Sequence, residues 1–258
     1  MQRRGIIQLF AAAAASLCVR QQLPASALFQ SFVPASGEGN AALRIAPVSQ
    51  ESAPAEPLLP LFPLRLVLFP RTTLALHIFE ERYKEMIHDC LQNQWEFGIL
   101  LAREEAVKSI GCTAAISQVV RRYSDGRMDI LVRGRRRFEL FDLNQEKSYF
   151  RGKPEFFEDD ETEPPAEELR QQAIRLNGRV RKLLELDDPS SEQSSPATND
   201  PQLSFSMMAV LPADLGWKQG LLELRSERER LEQVIRYLRQ LADHLERAPD
   251  HPAPSGTA

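Results

Sequence analysis

The sequence predicts an α+β chain: a small β-barrel carrying one inserted helix, followed by a C-terminal helical bundle. Three observations predict it. Residues 112–158 read as successive short strands divided by turn residues. One amphipathic helical stripe stands between an apolar, proline-punctuated opening and those strands. From Pro164 onward the apolar residues take helical spacing instead. With no βαβ repeat and strands this short, closure into a barrel is the economical way to leave few open edges.

The opening LLPLFPLRLVLFP carries Pro60, Pro63 and Pro70. Proline lacks the N–H that a ladder needs, so this reads as an edge strand, or as two short strands with a bend. Phe79, Tyr83, Met86, Ile87, Cys90 and Leu91 fall at i, i+4, i+7, i+8, i+11 and i+12. That is one face of a helix over 80–92, with Glu81, Lys84, Glu85 and Asp89 off it. FGILLA is a short buried strand. CTAAISQVVRRY and MDILVRG flank Asp125-Gly126, a hairpin signal because glycine accepts the positive φ of the turn. RRFELFDL and YFRGKPEFFED are two further strands, with Gly134 at a bend before the first. In the helical part, Leu169, Ile174, Val180, Leu183 and Leu184 mark one helix, and 187–200 is a polar loop. A second helix covers 201–211, with Leu203, Met207, Met208 and Val210. Asp214 caps a third, and Ser226-x-x-Glu229 has the form of a capping box. The last helix has a narrow leucine-rich stripe of coiled-coil width through Leu231, Val234, Ile235, Leu238, Leu241 and Leu245. It serves either to pack on the other helices or to pair with a partner.

Composition narrows the class. Hydrophobic residues are 43% and charged residues 26% of 258, a mix that builds a core. Net charge is −4, and residues 161–258 hold seventeen acidic against twelve basic groups. This disfavours a DNA-binding surface. Three cysteines make no disulfide framework, and no apolar run reaches a membrane span. Residues 1–57 read as a leader and disordered tether, with a signal-like Arg3-Arg4 followed by an apolar run, or a misplaced start. The organisation expected is thus 1–57 leader, 58–160 barrel, 161–247 helical subdomain and 248–258 disordered tail. The expected location is the cytoplasm, with export through the leader as the alternative.

Motifs for chemistry are missing from the sequence: no G-x-x-x-x-G-K-[ST], H-E-x-x-H, C-x-x-C or G-x-S-x-G. His77 reads as a hydrogen-bonded residue before the helix rather than a base or ligand. His88 reads as solvated, and Cys90 and Cys112 as small core hydrophobes, the latter opening a strand. No catalytic, cofactor or metal residue is assigned, and the binding residues are unknown. The basic run Arg133-Gly134-Arg135-Arg136-Arg137, with Arg121-Arg122 across the hairpin, reads first as a solvated strand edge and second as a contact for phosphate or acidic peptide. The methionine and leucine stripes read first as core and second as a groove for unfolded polypeptide.

LPLFPLR-x-x-LFP, LHIFEERY, the strand–DG–strand hairpin, V-x-G-x-x-R-F at Val132–Phe138 and L-x-x-R-S-x-x-x-R-L-E at Leu222–Glu232 together resemble the N-terminal substrate-binding domain of Lon-type proteases, over roughly Leu58 to Leu245. The similarity is strongest to stand-alone bacterial proteins of that type. It implies a PUA-like β-barrel followed by a helical bundle. It also implies a non-catalytic module for exposed or unfolded polypeptide, without cofactor, serving a separate ATP-dependent protease, since the ATPase and protease modules of a full Lon are not in this sequence. RNA binding is the alternative, because PUA-like barrels resemble RNA-reading modules, and an unrecognised hydrolase is a second.

Overall fold

The structure, a computed structural model, describes residues 58–103, 106–161, 163–186 and 199–247. The predicted leader, the tail and most of the polar loop lie outside them. The chain divides into two compact units, one ending at Phe157 and one beginning at Glu158.

The first unit holds β1 (Leu59–Leu64), β2 (Thr73–Ile78), α1 (Glu81–Asn93), β3 (Phe97–Arg103), β4 (Ala106–Arg122), β5 (Met128–Asn144) and β6 (Arg151–Phe157). The sheet order is β2-β5-β4-β3-β1-β6, and β6 also pairs with β5. The ladder from β5 through β4, β3, β1 and β6 therefore returns to β5. Inside this circuit Leu59, Leu61, Leu100, Val107, Phe138 and Leu140 form one buried cluster. Burial of each such side chain stabilises by roughly 1.5–3 kcal/mol.

β1 is not an edge strand. It runs parallel to β3 (Leu61–Leu64 beside Gly98–Leu101) and antiparallel to the start of β6. Its prolines fit for a geometric reason. The Leu61 N–H donates to the Phe150 carbonyl at 2.9 Å, so odd residues face β6 and even residues face β3. The missing donor of Pro63 then falls past the end of the β6 pairing, and that of Pro60 before the β3 pairing begins. Both side-chain faces are also covered: Leu59 and Leu61 enter the circuit cluster, while the Phe62 ring lies 4.1 Å from that of Tyr83 in α1. The parallel β1–β3 pair needs a crossover, and β2 with α1 provides it.

Helix α1 buries Tyr83, Met86, Ile87 and Cys90, the stripe read from the sequence. It ends at Gln94, whose left-handed backbone (φ 56°) closes the last turn onto the Cys90 carbonyl. The hairpin forms as expected: Gly126 has φ 83°, and the Tyr123 N–H meets the Arg127 carbonyl at 2.9 Å. Two expectations about strands are corrected. β4 begins at Ala106, so Cys112 lies inside it rather than opening it. The two strands expected on either side of Gly134 are one strand, β5, whose first half pairs with β2 and second half with β6. The bend survives as a register shift against β4 between Ala114 and Cys112.

The second unit comprises α2 (Glu167–Leu183), α3 (Leu203–Val210), α4 (Leu215–Glu223) and α5 (Glu227–Arg247). α5 packs on α2 and α3. Its stripe is largely internal: Leu231, Val234, Ile235, Leu238 and Ala242 are buried. Asp214 caps α4 by accepting from the backbone N–H groups of Gly216 and Trp217. At the start of α5 the Ser226 hydroxyl accepts from the Glu229 N–H at 3.2 Å and donates to Glu161. Below it, Arg230 is fully buried. Its guanidinium grips both oxygens of Asp159 at 2.7 and 2.6 Å, meets Glu227 at 2.8 Å, donates to the Leu224 carbonyl and lies over the Phe205 ring. Glu227 in turn accepts from the Ser204 N–H and hydroxyl.

Candidate functional site

The polar face of α1 looks onto the β4–β5 hairpin and the loop before β6, and the three enclose an open cleft of about 550 Å³. Arg82, Lys84 and His88 come from α1, Arg122 and Asp125 from the hairpin, and Ser148 from the loop. Lys84 Nζ donates to Glu81 at 2.7 Å and to the Asp125 carbonyl at 2.9 Å, which ties the helix to the turn. On the opposite wall Ser148 donates to Glu85 at 2.6 Å, and Lys147 and Tyr149 both donate to Asp89 Oδ2, at 2.5 and 2.6 Å. Glu81, Glu85 and Asp89 recur every four residues, so one helical row of carboxylates anchors both walls. That row was legible as polar residues off the apolar stripe. Its partners, 58 to 63 residues away along the chain for Ser148, Lys147 and Tyr149, were not.

Burial acts to raise the Asp89 pKa, but the hydrogen bonds and charge of Lys147, with the Tyr149 hydroxyl, outweigh it and hold the carboxyl below its ordinary value. Tyr149 is pushed up to about 12, by burial first and then by its bond to that carboxylate. Because the folded pKa of Asp89 lies below an unfolded value of about 3.9, the contact stabilises fully above that pH. The contribution is lost as pH falls through the folded pKa. Lys147→Met is expected to move the Asp89 titration upward, read by NMR of its carboxyl carbon between pH 2 and 6. An unmoved midpoint would show that Lys147 does not set it.

The sequence candidates separate in space. His77 sits on β2 directly opposite Asp129, with Nδ1 and Oδ1 2.6 Å apart, while Tyr123 donates to the other Asp129 oxygen at 2.7 Å. The imidazole is thus a clamp between strands, as its hydrogen-bonded reading expects. His88 is exposed. Cys90 and Cys112 are buried, and burial pushes each thiol up to about 12, which leaves little thiolate near neutrality. Met207 and Met208 are fully buried, so they form core and no open groove.

The arginine run is solvated at Arg121, Arg122, Arg133, Arg135 and Arg136, as read, but it does not lie on a strand edge. β5 pairs on β2, β4 and β6, and Arg137 is only 1% exposed, its guanidinium 4.7 Å from the Phe157 ring centre. Arg136 lies over Phe156 at 3.7 Å, and Arg135 reaches Glu96 at 3.8 Å. Alternation along the strand and one register shift disperse residues that are adjacent in sequence. Sequence reasoning also missed the exposed aromatic residues Trp95, Phe141 and Phe156.

Among the described residues no three His, Cys, Asp or Glu side chains gather to hold a metal, and no helix is long and apolar enough to cross a membrane. The geometry defines a two-part α+β protein whose polar groups converge at an open surface cleft, with donors and acceptors of both signs. A family model fixes which one. Residues 58–240 match the ATP-dependent protease La (Lon) substrate-binding domain, and the chain belongs to that family. It is 25% identical over 205 residues to the Lon protease of Escherichia coli, covering 73% of this chain and 25% of that protein. It is 24% identical over 210 residues to the Lon protease of Anaeromyxobacter dehalogenans, covering 77% and 25%. The chain thus spans about a quarter of the length of these relatives. The crystal structure of a Lon N-terminal domain protein from Xanthomonas campestris superposes with a TM-score of 0.54 at 25% identity, over 70% of this chain and 99% of that one. The N-terminal domain of a Mycobacterium avium complex Lon protease has the same fold, with a TM-score of 0.53 at 17% identity, over 70% and 97%.

Proposed function

We propose that the chain is a non-catalytic module that holds exposed or unfolded segments of other polypeptides in the cytoplasm, for delivery to a separate ATP-dependent protease. The observation that carries this reading is the match of residues 58–240 to a substrate-binding domain, which takes in nearly all the described residues. The closed strand circuit supports a PUA-like β-barrel, and the packing of α5 on α2 and α3 supports a helical bundle. An open cleft whose lining carries both charge signs suits a peptide, whose backbone and side chains present both polar signs. Within the arginine run Arg137 is buried and Arg135 reaches Glu96, which weakens an RNA reading while Arg121, Arg122 and Arg133 stay exposed.

Titration calorimetry of the full chain with a reduced, carboxymethylated and permanently unfolded protein tests the reading. Saturable binding with a negative heat-capacity change is expected, and no binding to the same protein in its folded form. Absence of binding to the unfolded form, or turnover of it by the pure chain alone, would overturn the proposal.

A further inference from the structure

Among the described strands, β2 alone is hydrogen-bonded along one side only. Its phase is fixed by its first contact. The Gly134 N–H donates to the Thr72 carbonyl at 2.9 Å, while Thr73 stands opposite Arg133. Alternation then turns the backbone groups of Leu74, Leu76 and Ile78 toward β5, and those of Thr73, Ala75 and His77 away from it, of which Thr73 and Ala75 concern the edge here. Neither Thr73 nor Ala75 has any other hydrogen bond among the described residues. Thr73 is exposed and Ala75 half-buried. Proteins ordinarily blunt such an edge with Pro, Lys, an inward charge or a bulge. The strand Thr-Leu-Ala-Leu-His-Ile contains no Pro, Gly, Lys, Arg, Asp or Glu, and its pairing with β5 runs without a register shift.

We propose that the outer edge of β2 accepts an extended polypeptide segment as an added strand. The chemistry selects this occupant. Two N–H donors and two carbonyl acceptors, repeating at about 6.6 Å along the edge, are matched together by another extended backbone. Backbone pairing is tolerant of sequence, as capture of unfolded segments requires. The proposal rests on the polypeptide-binding reading and adds to the cleft a place where a segment's backbone is held.

Amide hydrogen exchange on the full chain tests it, with a short synthetic peptide of alternating valine and serine and lysine ends as probe. At saturation the Thr73 and Ala75 amides are expected to slow at least tenfold, while those of Leu74 and Leu76, already bonded to β5, change little. Ala75→Pro removes an outward donor and no bond to β5, a position where an edge strand tolerates proline. It is expected to keep the wild-type melting curve and weaken the peptide about tenfold. Peptide binding with unchanged exchange at Thr73 and Ala75 would overturn the edge site and leave the polypeptide reading standing. No binding of either this peptide or the unfolded protein would sink both. Protection that grows with protein concentration in the absence of peptide would assign the edge to a second copy of the chain and overturn the proposal. Should the proline variant fail to fold, the exchange result on the native chain decides.

Discussion

Arg230→Ala is expected to destabilise the helical unit by about 3–5 kcal/mol. The side chain is fully buried and sits between two carboxylates, Asp159 at 2.6 Å and Glu227 at 2.8 Å. Removing it takes the counter-charge from both anions, and Glu227 is itself almost fully buried. Burial already raises the Glu227 pKa against the pull of Arg230 and the Ser204 hydrogen bonds, so without the guanidinium that carboxyl can persist only by taking up a proton. The loss also removes the hydrogen bond to the Leu224 carbonyl and the cation contact with the Phe205 ring. Arg230→Lys should fall between wild type and alanine, since one ammonium cannot bridge both carboxylates with a planar fork. Adding Asp159→Asn and Glu227→Gln to Arg230→Met should recover part of the loss, because the unpaired charges go with it. Urea unfolding followed by the fluorescence of Trp217, which stacks on Tyr237 in the same unit, measures the change. A shift below about 1 kcal/mol for Arg230→Ala would show that the network is replaceable by water.

Gly134→Ala is expected to cost about 2–3 kcal/mol in the first unit, although it adds only one methyl group. A Cβ at this position would lie 2.1 Å from the Phe69 carbonyl oxygen. That oxygen belongs to backbone, so no rotamer change relieves the overlap. The neighbouring chain is pinned as well: the Arg71 N–H donates to the Gly134 carbonyl at 2.8 Å, and the Gly134 N–H donates to Thr72 at 2.9 Å. Gly134 lies where β5 leaves its pairing with β2 and approaches that with β6, so a displaced backbone here loosens both halves. Thermal unfolding read by Trp95 fluorescence should show a lower midpoint, by several degrees per kcal/mol for a unit of this size. An unchanged midpoint would mean that the 69–72 turn moves aside freely, and would remove Gly134 as the determinant of the crossing.

Both residues stood inside the resemblance motifs, yet their physical roles were hidden. Gly134 was legible as a bend, because a lone glycine in a strand pattern marks close backbone approach. That β5 continues through it was not, since continuity depends on which strands flank each half. In sequence Arg230 is one of several charges in a leucine-striped helix. Nothing within the helix marks it as buried, because its two carboxylates and the Phe205 ring are brought in by separate segments.

Local pattern settled the elements whose cause is local. The α1 stripe, the Asp125-Gly126 hairpin and the Asp214 cap follow from side-chain spacing and from the φ that glycine alone takes cheaply, and the sequence alone determined them, whereas the stripe of α5 was legible but its internal packing was not. Proline in β1 argued for an edge by the same local logic, and there the tertiary structure decided otherwise. Whether a missing N–H matters depends on where the neighbouring strands begin and end. The arginine run, the Asp89 anchor and the place of β2 at the end of the strand order were likewise decided by tertiary structure alone, because strand register and loop docking join residues that no spacing along the chain relates.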